Sequence, residues 1–271
     1  MPENLTLASI KKIVFDSTLT RMPHLKSFSG GPYTFLKARY YMYWSIFLLY
    51  MLIPTGIQAN TVTILYGFAG ILGAVLLSMD NQVCTLLAIF VFFNKGILDW
   101  TDGHLARIKS QTSKTGHVLD EYGAILNSIG LAVGLGFFVM HATGMTWLLY
   151  IIPLMPFFHG AKYTSFAKAV VLDNQREGQT SKSTIADLPK KSEEKKTAFS
   201  ALLPSFITNL SSLMDDRARS VDFILLIIAI DTYFGTYYSL INFALIFLRL
   251  FAQFSLSFIF GVRNRFAEKI S

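Results

Sequence analysis

The sequence has few charged residues and only one cysteine. Charged residues make up 15% of the 271 positions and hydrophobic residues 52%, which is too apolar for an ordinary soluble domain. The lone Cys84 excludes an intrachain disulfide. No Asp, Glu, Lys or Arg occurs at 41–79 or at 122–161. Because a helix of about 20 apolar residues crosses a bilayer, these runs predict a polytopic membrane protein.

The apolar segments predict an all-α integral membrane protein with six transmembrane helices. Four spans are expected within 59–170 and two within 221–271, on either side of a polar loop at 171–220. The segment 1–58 is expected to be cytoplasmic and interfacial, with an amphipathic helix and a second interfacial or re-entrant helix. The predicted helices lie at about 5–15, 40–53, 60–79, 82–107, 116–141 and 146–169, with a final pair in 221–262 that turns near 231–235.

Basic residues outnumber acidic residues by 24 to 17, but this excess does not indicate nucleic-acid binding. The basic residues cluster at the ends of apolar segments, where they set the orientation of a membrane protein. If the N-terminus is cytoplasmic and six spans alternate, the Lys and Arg excess falls on the cytoplasmic side. We therefore expect a bacterial inner-membrane protein whose acidic motif faces the cytoplasm.

Three carboxylates stand out at the ends of two apolar segments. Asp99 and Asp102 are three residues apart and share one helix face, and Asp120 lies one turn into the next predicted span. Acids near membrane depth usually mark a functional site. Three neighbouring carboxylates repel one another unless a cation neutralises them, and oxygen ligands suit a hard divalent ion. The set predicts a two-ion Mg²⁺ or Mn²⁺ site.

Two glycines and an arginine accompany these acids. Gly103 and Gly116 leave room for a phosphate beside the backbone, and Arg107 supplies a fork-shaped cation suited to phosphate. The combination indicates a metal-bound diphosphate substrate. The alternative, a set of interfacial salt bridges, accounts for single acids better than for the whole spaced group.

The spacing resembles the signature of the CDP-alcohol phosphotransferase family. That signature reads Asp-x2-Asp-Gly-x2-Ala-Arg-x8-Gly-x3-Asp-x3-Asp. The chain matches it at Asp99, Asp102, Gly103, Ala106, Arg107, Gly116 and Asp120. The first predicted span also opens with Asn60 and Thr63, which is similar to the Asn-x-x-Thr at this point in the family.

The resemblance implies an enzyme that moves a substituted phosphate from a CDP-linked alcohol, such as CDP-diacylglycerol, to an acceptor alcohol and releases CMP. One of the two substrates would be a lipid, and the protein would form a homodimer. The resemblance assigns the metal ions to Asp99, Asp102 and Asp120. It places the cytidine diphosphate beside Gly103, Ala106, Arg107, Gly116, Asn60 and Thr63.

The match fails at the last position of the signature, where Ala124 replaces an aspartate. In the family that aspartate is thought to deprotonate the acceptor hydroxyl and to help bind the second ion. The chain is therefore expected to bind metal and donor but to turn over slowly or not at all. An introduced substitution, a naturally altered member and a noncatalytic scaffold all fit this alanine. A divalent-cation transporter is a further alternative, although Arg107 would repel cations.

Several other polar residues lie in or beside the apolar segments. Lys95 precedes Asp99 by one turn, and Arg249 lies deep in the last apolar run, where it is a candidate for binding a phosphate. His159 and Lys162 are candidates for lining an acceptor pocket. His104 and His117 flank the acids and are predicted to be hydrogen-bonding walls, since oxygen-rich sites favour Mg²⁺ or Mn²⁺ over the metals that histidine prefers.

Overall fold

A computed structural model describes residues 6–28, 31–160 and 218–263 of the chain. Over these ranges the protein is all-helical and has no β-strand, as predicted. The helices are α1 (Leu7–Arg21), α2 (Pro32–Leu52), α3 (Ala59–Leu77), α4 (Gln82–Ile108), α5 (Lys114–Thr143), α6 (Thr146–Gly160), α7 (Ala218–Phe234) and α8 (Tyr238–Arg263).

Four of the described helices are long and apolar enough to cross a membrane: α3, α4, α5 and α8. Helices α3, α4 and α5 agree closely with the first three predicted spans. Helix α6 is short and opens with a 3₁₀ segment, Thr146–Tyr150, and α7 has 17 residues, near the lower limit for a span. Six spans therefore stay a prediction. The rest of the fourth predicted span, nearly all of the 171–220 loop and the C-terminal tail lie outside the described residues.

Side-chain caps fix where the helices of the acidic motif begin. Asn81 Oδ1 accepts hydrogen bonds from the first-turn N–H groups of α4, at 2.9 Å from Val83 N and 3.2 Å from Cys84 N. Ser113 Oγ accepts from Gly116 N at 3.0 Å and starts α5. These bonds satisfy N–H groups that have no partner within the helix. Ser113 thereby sets the position of Gly116 at the tip of α5.

Helix α3 lies between α4 and α5 and packs along both, whereas α4 and α5 barely contact each other. The two helices that carry the acidic motif are therefore held together through α3 rather than along their own lengths. The reason lies in small residues: a Cβ added at Gly130 of α5 would lie 2.5 Å from the Gly70 carbonyl oxygen of α3. Such glycines let two membrane helices approach closely.

The N-terminal helices differ from their predicted extents. Helix α1 continues to Arg21, well past residue 15, and buries Ile10 and Val14 against α2. Helix α2 begins at Pro32 rather than near residue 40. Proline is favourable in the first turn of a helix because its missing N–H has no intrahelical partner there. Both differences bring N-terminal residues close to the acidic motif.

Helices α7 and α8 meet at a tight turn, as predicted near 231–235. Asp231 is buried, and its carboxylate accepts hydrogen bonds from Tyr238 N at 3.1 Å and from Ser239 N at 2.6 Å. A carboxylate in this place satisfies the first N–H groups of α8 and suits the positive end of its dipole. The two helices close the apolar core formed with α3 to α6.

Candidate active site

Three helix ends meet around the acidic motif: the C-terminal end of α4 and the N-terminal ends of α3 and α5. They enclose a cavity of about 240 Å³, called here the glycine cavity. Its lining includes all six residues that the resemblance assigns to the nucleotide: Asn60, Thr63, Gly103, Ala106, Arg107 and Gly116. A Cβ at Gly116 would lie 3.1 Å from Asn60 Oδ1, so this glycine lets the Asn60 side chain lie close to the backbone of α5.

A second cavity of about 260 Å³, called here the carboxylate cavity, is lined by all three motif acids. The carboxyl groups of Asp99 and Asp120 lie in hydrogen-bonding contact, although they come from different helices. Two carboxyl groups stay in contact only if a proton or a cation lies between them. Asp102 lines both cavities and so connects them.

The charge on Asp102 is only partly compensated. The residue is 6% exposed, and the Thr63 side chain and the Gly103 N–H lie against its carboxylate. Its Oδ2 atom is buried and has no hydrogen-bond partner in the part of the chain that the structure describes. A buried charged oxygen without a partner is costly, so this atom marks a place where a ligand or cation would bind favourably.

These carboxylates fit a hard divalent ion in their chemistry, since they offer several oxygen atoms around one cavity. They are not preassembled: among the described residues, no three His, Cys, Asp or Glu side chains form a cluster tight enough to hold a metal ion. The orphaned Oδ2 of Asp102 and the contact between Asp99 and Asp120 both favour a bound cation. The evidence that these residues suit a divalent ion is therefore the type of their ligand atoms and their uncompensated charge. It is not a complete set of ligands at bonding distance.

The guanidinium of Arg107 is held by a buried histidine. Arg107 Nη2 lies 3.0 Å from His104 Nδ1, and His104 Nε2 lies 3.4 Å from Thr18 Oγ1 of α1. Because a guanidinium only donates, Nδ1 accepts and the Nε2–H of a neutral ring donates to Thr18. His104 is a hydrogen-bonding wall, as predicted, and it links α1 to the arginine of the motif.

The loop between α4 and α5 is tied to the start of α3. Lys109 Nζ donates to the carbonyl oxygens of Leu52, Thr55 and Ile57 at 3.2, 2.8 and 2.8 Å. Gln111 Oε1 accepts from Ala59 N, the first residue of α3, at 3.1 Å. These bonds hold Asn60 and Thr63 against the glycine cavity.

Ala124 lies on α5 one turn beyond Asp120 and is partly buried. It belongs to the described lining of neither cavity. Residues at i and i+4 share a helix face, so a longer acidic side chain here would point along the same side of α5 as Asp120. Glu121, the nearest other acid on α5, is exposed.

The sequence did not single out the contribution of α1 to this site. Thr18 and Arg21 of α1 line the carboxylate cavity together with Met22, which directly follows α1, and Arg107 lines the same cavity. A basic residue ending an amphipathic helix is a weak signal, because such residues also arise from membrane orientation alone. Trp100 also lines this cavity, and His117 lines the glycine cavity.

The remaining candidates share a cavity that is separate from the two cavities of the acidic motif. Lys95, His159 and Arg249 line one small cavity of about 30 Å³, to which each of the helices α4 to α8 contributes. The structure thus brings together three residues that were singled out separately. Lys162 lies outside the described residues.

Residues 57–232 match the family model for CDP-alcohol phosphatidyltransferase. The match covers α3 to α6 and nearly all of α7, and it leaves α1 and α2 outside. No match to a curated protein was found.

Proposed function

The chain belongs to the CDP-alcohol phosphatidyltransferase family, and we propose that it is a membrane-embedded phosphotransferase scaffold that binds a CDP-linked lipid and divalent cations. The family membership indicates a phosphotransferase of phospholipid synthesis. The proposed reaction transfers the substituted phosphate of CDP-diacylglycerol to an alcohol and releases CMP. The observation that carries the proposal is the meeting of the signature residues around two adjoining cavities.

The residues of the glycine cavity would bind the cytidine diphosphate. Gly103 and Gly116 leave space beside the backbone, and Arg107, fixed by His104, offers two parallel N–H donors to a phosphate. Asn60 and Thr63 provide side-chain polar groups from the start of α3. Arg21 adds a second positive charge on the carboxylate side.

Asp99, Asp102 and Asp120 would hold Mg²⁺ or Mn²⁺ between the two cavities. When bound, such ions neutralise a diphosphate and stabilise the charge that develops on the leaving group. The two arginines beside the acids are the feature that argues against a cation-transport pathway.

Ala124 would limit the chemistry of this chain. In the transfer, the acceptor oxygen bonds to the donor's outer phosphorus, the bond from that phosphorus to CMP breaks, and the acceptor proton must leave. An alanine cannot accept a proton. The chain is thus proposed to bind its donor and turn over very slowly; a noncatalytic role is the second candidate, and Ala124 is the observation that favours it.

The proposed location is a bacterial inner membrane, with the carboxylate cavity open to the cytoplasm and the protein present as a homodimer. The distribution of Lys and Arg along the sequence supports this orientation. Chemical labelling of Cys84, expected at the opposite side from the motif, would test the orientation in membrane vesicles.

Restoring the missing acid tests the catalytic part of the proposal. We expect Ala124→Asp to raise the rate of CMP release by about 10²–10⁴-fold, the usual contribution of a general base. Purified protein would be given CDP-diacylglycerol, Mg²⁺ and a panel of alcohols, and products would be identified by mass spectrometry. Ala124→Asn is the matched control, because it has the same shape and no base. Equal rates for both variants would favour the noncatalytic role.

A further inference from the structure

A third cavity, of about 480 Å³, lies between α2, α4, α7 and the connection from α1 to α2, and is called here the α2 cavity. It shares Met22 and Trp100 with the carboxylate cavity, so the two cavities adjoin. Apart from Trp100 and Arg219, its lining comes from residues 22–41, which the family match does not cover. The α2 cavity is therefore built mainly by the segment that precedes the family domain.

The α2 cavity is positively charged. Lys37 and Arg219 line it, and its lining includes no carboxylate within the ranges that the structure describes. The Arg219 side chain is exposed. The nearest acid behind the lining is Asp222, which is paired with Lys37 at 2.7 Å.

The pair with Asp222 fixes the geometry of one wall. Asp222 also accepts a hydrogen bond from the Tyr33 hydroxyl, and Lys37 Nζ donates to the Phe93 carbonyl oxygen at 3.3 Å. Lys37 lies over the Tyr41 ring at 4.9 Å. These contacts hold Tyr33 and Lys37 in place. Among the described residues that line the cavity, Arg219 is the exposed basic residue without an acidic partner in the lining.

We propose that the α2 cavity binds the acceptor, and that this acceptor is an alcohol carrying a phosphate group. Its phosphate would lie near Arg219, and its hydroxyl would extend past Trp100 toward the carboxylates. The volume is within the range of small-molecule sites, and a guanidinium suits a phosphate in charge and shape. The inference rests on the proposed function, because it assigns the second substrate of the same reaction.

Binding measurements on the unchanged chain test this inference, since slow turnover keeps the ligands intact. Isothermal titration in detergent with Mg²⁺ would use sn-glycerol 3-phosphate and myo-inositol 1-phosphate, with glycerol, myo-inositol and choline as comparisons. We expect binding only of the phosphate-bearing alcohols. Arg219→Gln should weaken that binding at least 10-fold. Lys26→Gln, which removes an exposed positive charge nearby but outside the cavity, should change it less than 2-fold.

Titration of CDP with Mg²⁺ on the same proteins separates the two proposals. CDP affinity should be equal in Arg219→Gln and in the unchanged chain. Absence of CDP binding in the unchanged chain would contradict the proposed function and the acceptor assignment together. Two results would overturn the acceptor assignment alone, provided that CDP still binds. One is that the alcohol phosphates bind equally well to Arg219→Gln and to the unchanged chain. The other is that the uncharged alcohols or choline bind.

The phosphate group of a membrane lipid could also bind at Arg219 in the α2 cavity. Native mass spectrometry of protein taken from nanodiscs with and without phosphatidylglycerol would detect it. The acceptor assignment would be overturned if the unchanged chain retained phosphatidylglycerol better than Arg219→Gln and neither protein bound the soluble alcohol phosphates. Equal lipid retention in Arg219→Gln and in the unchanged chain supports it.

Discussion

The carboxylate cavity and the α2 cavity adjoin, but they handle buried charge in opposite ways. At the α2 cavity, Lys37 of the lining and Asp222 behind it form a buried ion pair, at 7% and 13% side-chain exposure. In the carboxylate cavity, the carboxyl groups of Asp99 and Asp120 contact each other without a basic partner between them, and one oxygen of Asp102 has no partner among the described residues. Charges that are paired hold the structure together, whereas charges left uncompensated favour a ligand.

The largest expected effect comes from breaking the ion pair. Asp222→Leu leaves the Lys37 ammonium buried without its partner, which typically costs about 3–5 kcal/mol of stability. Thermal unfolding in detergent would measure the loss. The double variant Lys37→Met with Asp222→Leu should recover most of it, because neither charge then remains. A stable Asp222→Leu single variant would show that the pair is not structural.

In the carboxylate cavity, replacing a charged residue by a neutral one should raise the stability of the protein instead of lowering it. Asp120→Asn replaces a repulsive contact by an amide that donates to Asp99, and a hydrogen bond to a charged group contributes about 1.5–3 kcal/mol. We expect a higher unfolding temperature in metal-free buffer, together with weaker Mg²⁺-dependent CDP binding. Stability gained at the cost of function is typical of binding sites. A less stable variant would contradict the difference between the two cavities.

Sequence reasoning succeeded where function depends on local spacing. Asp99, Asp102 and Gly103 lie within one helix turn, so their common face followed from helix geometry. The convergence with Asp120 followed from a short loop between two apolar segments. The glycines on α3 and α5 bring these two helices close together, and Gly70 and Gly130 lie at the closest approach between them.

Sequence reasoning failed where distant segments meet. Lys37 and Asp222 are far apart in the chain, and no periodic pattern announces their pairing. The insertion of α3 between α4 and α5 also has no local signal, since each helix is apolar around most of its surface. The early start of α2 was missed because charged residues such as Lys37 interrupt its first turns, a pattern that is typical of a loop. Only the structure shows that Lys37 is buried in a pair with Asp222.

The smallest expected effect concerns the link from α1 to the motif arginine. His104→Phe keeps an aromatic ring but removes the acceptor for Arg107, a hydrogen bond with a net value of about 0.5–1.5 kcal/mol. CDP affinity should fall by about 2–10-fold in titration calorimetry. Thr18→Val is the matched control, because it removes only the other bond of the ring. Equal affinities in both variants would mean that His104 does not position Arg107.

The central claim is that Asp99, Asp102 and Asp120 bind divalent cations together with a CDP-linked donor. The most direct test is titration of CDP into the purified chain with Mg²⁺ and with EDTA, repeated on Asp102→Asn. We predict binding with Mg²⁺, none with EDTA, and affinity at least about 100-fold weaker in Asp102→Asn. Equal CDP affinity with and without the ion, or in the variant and the unchanged chain, would contradict the claim.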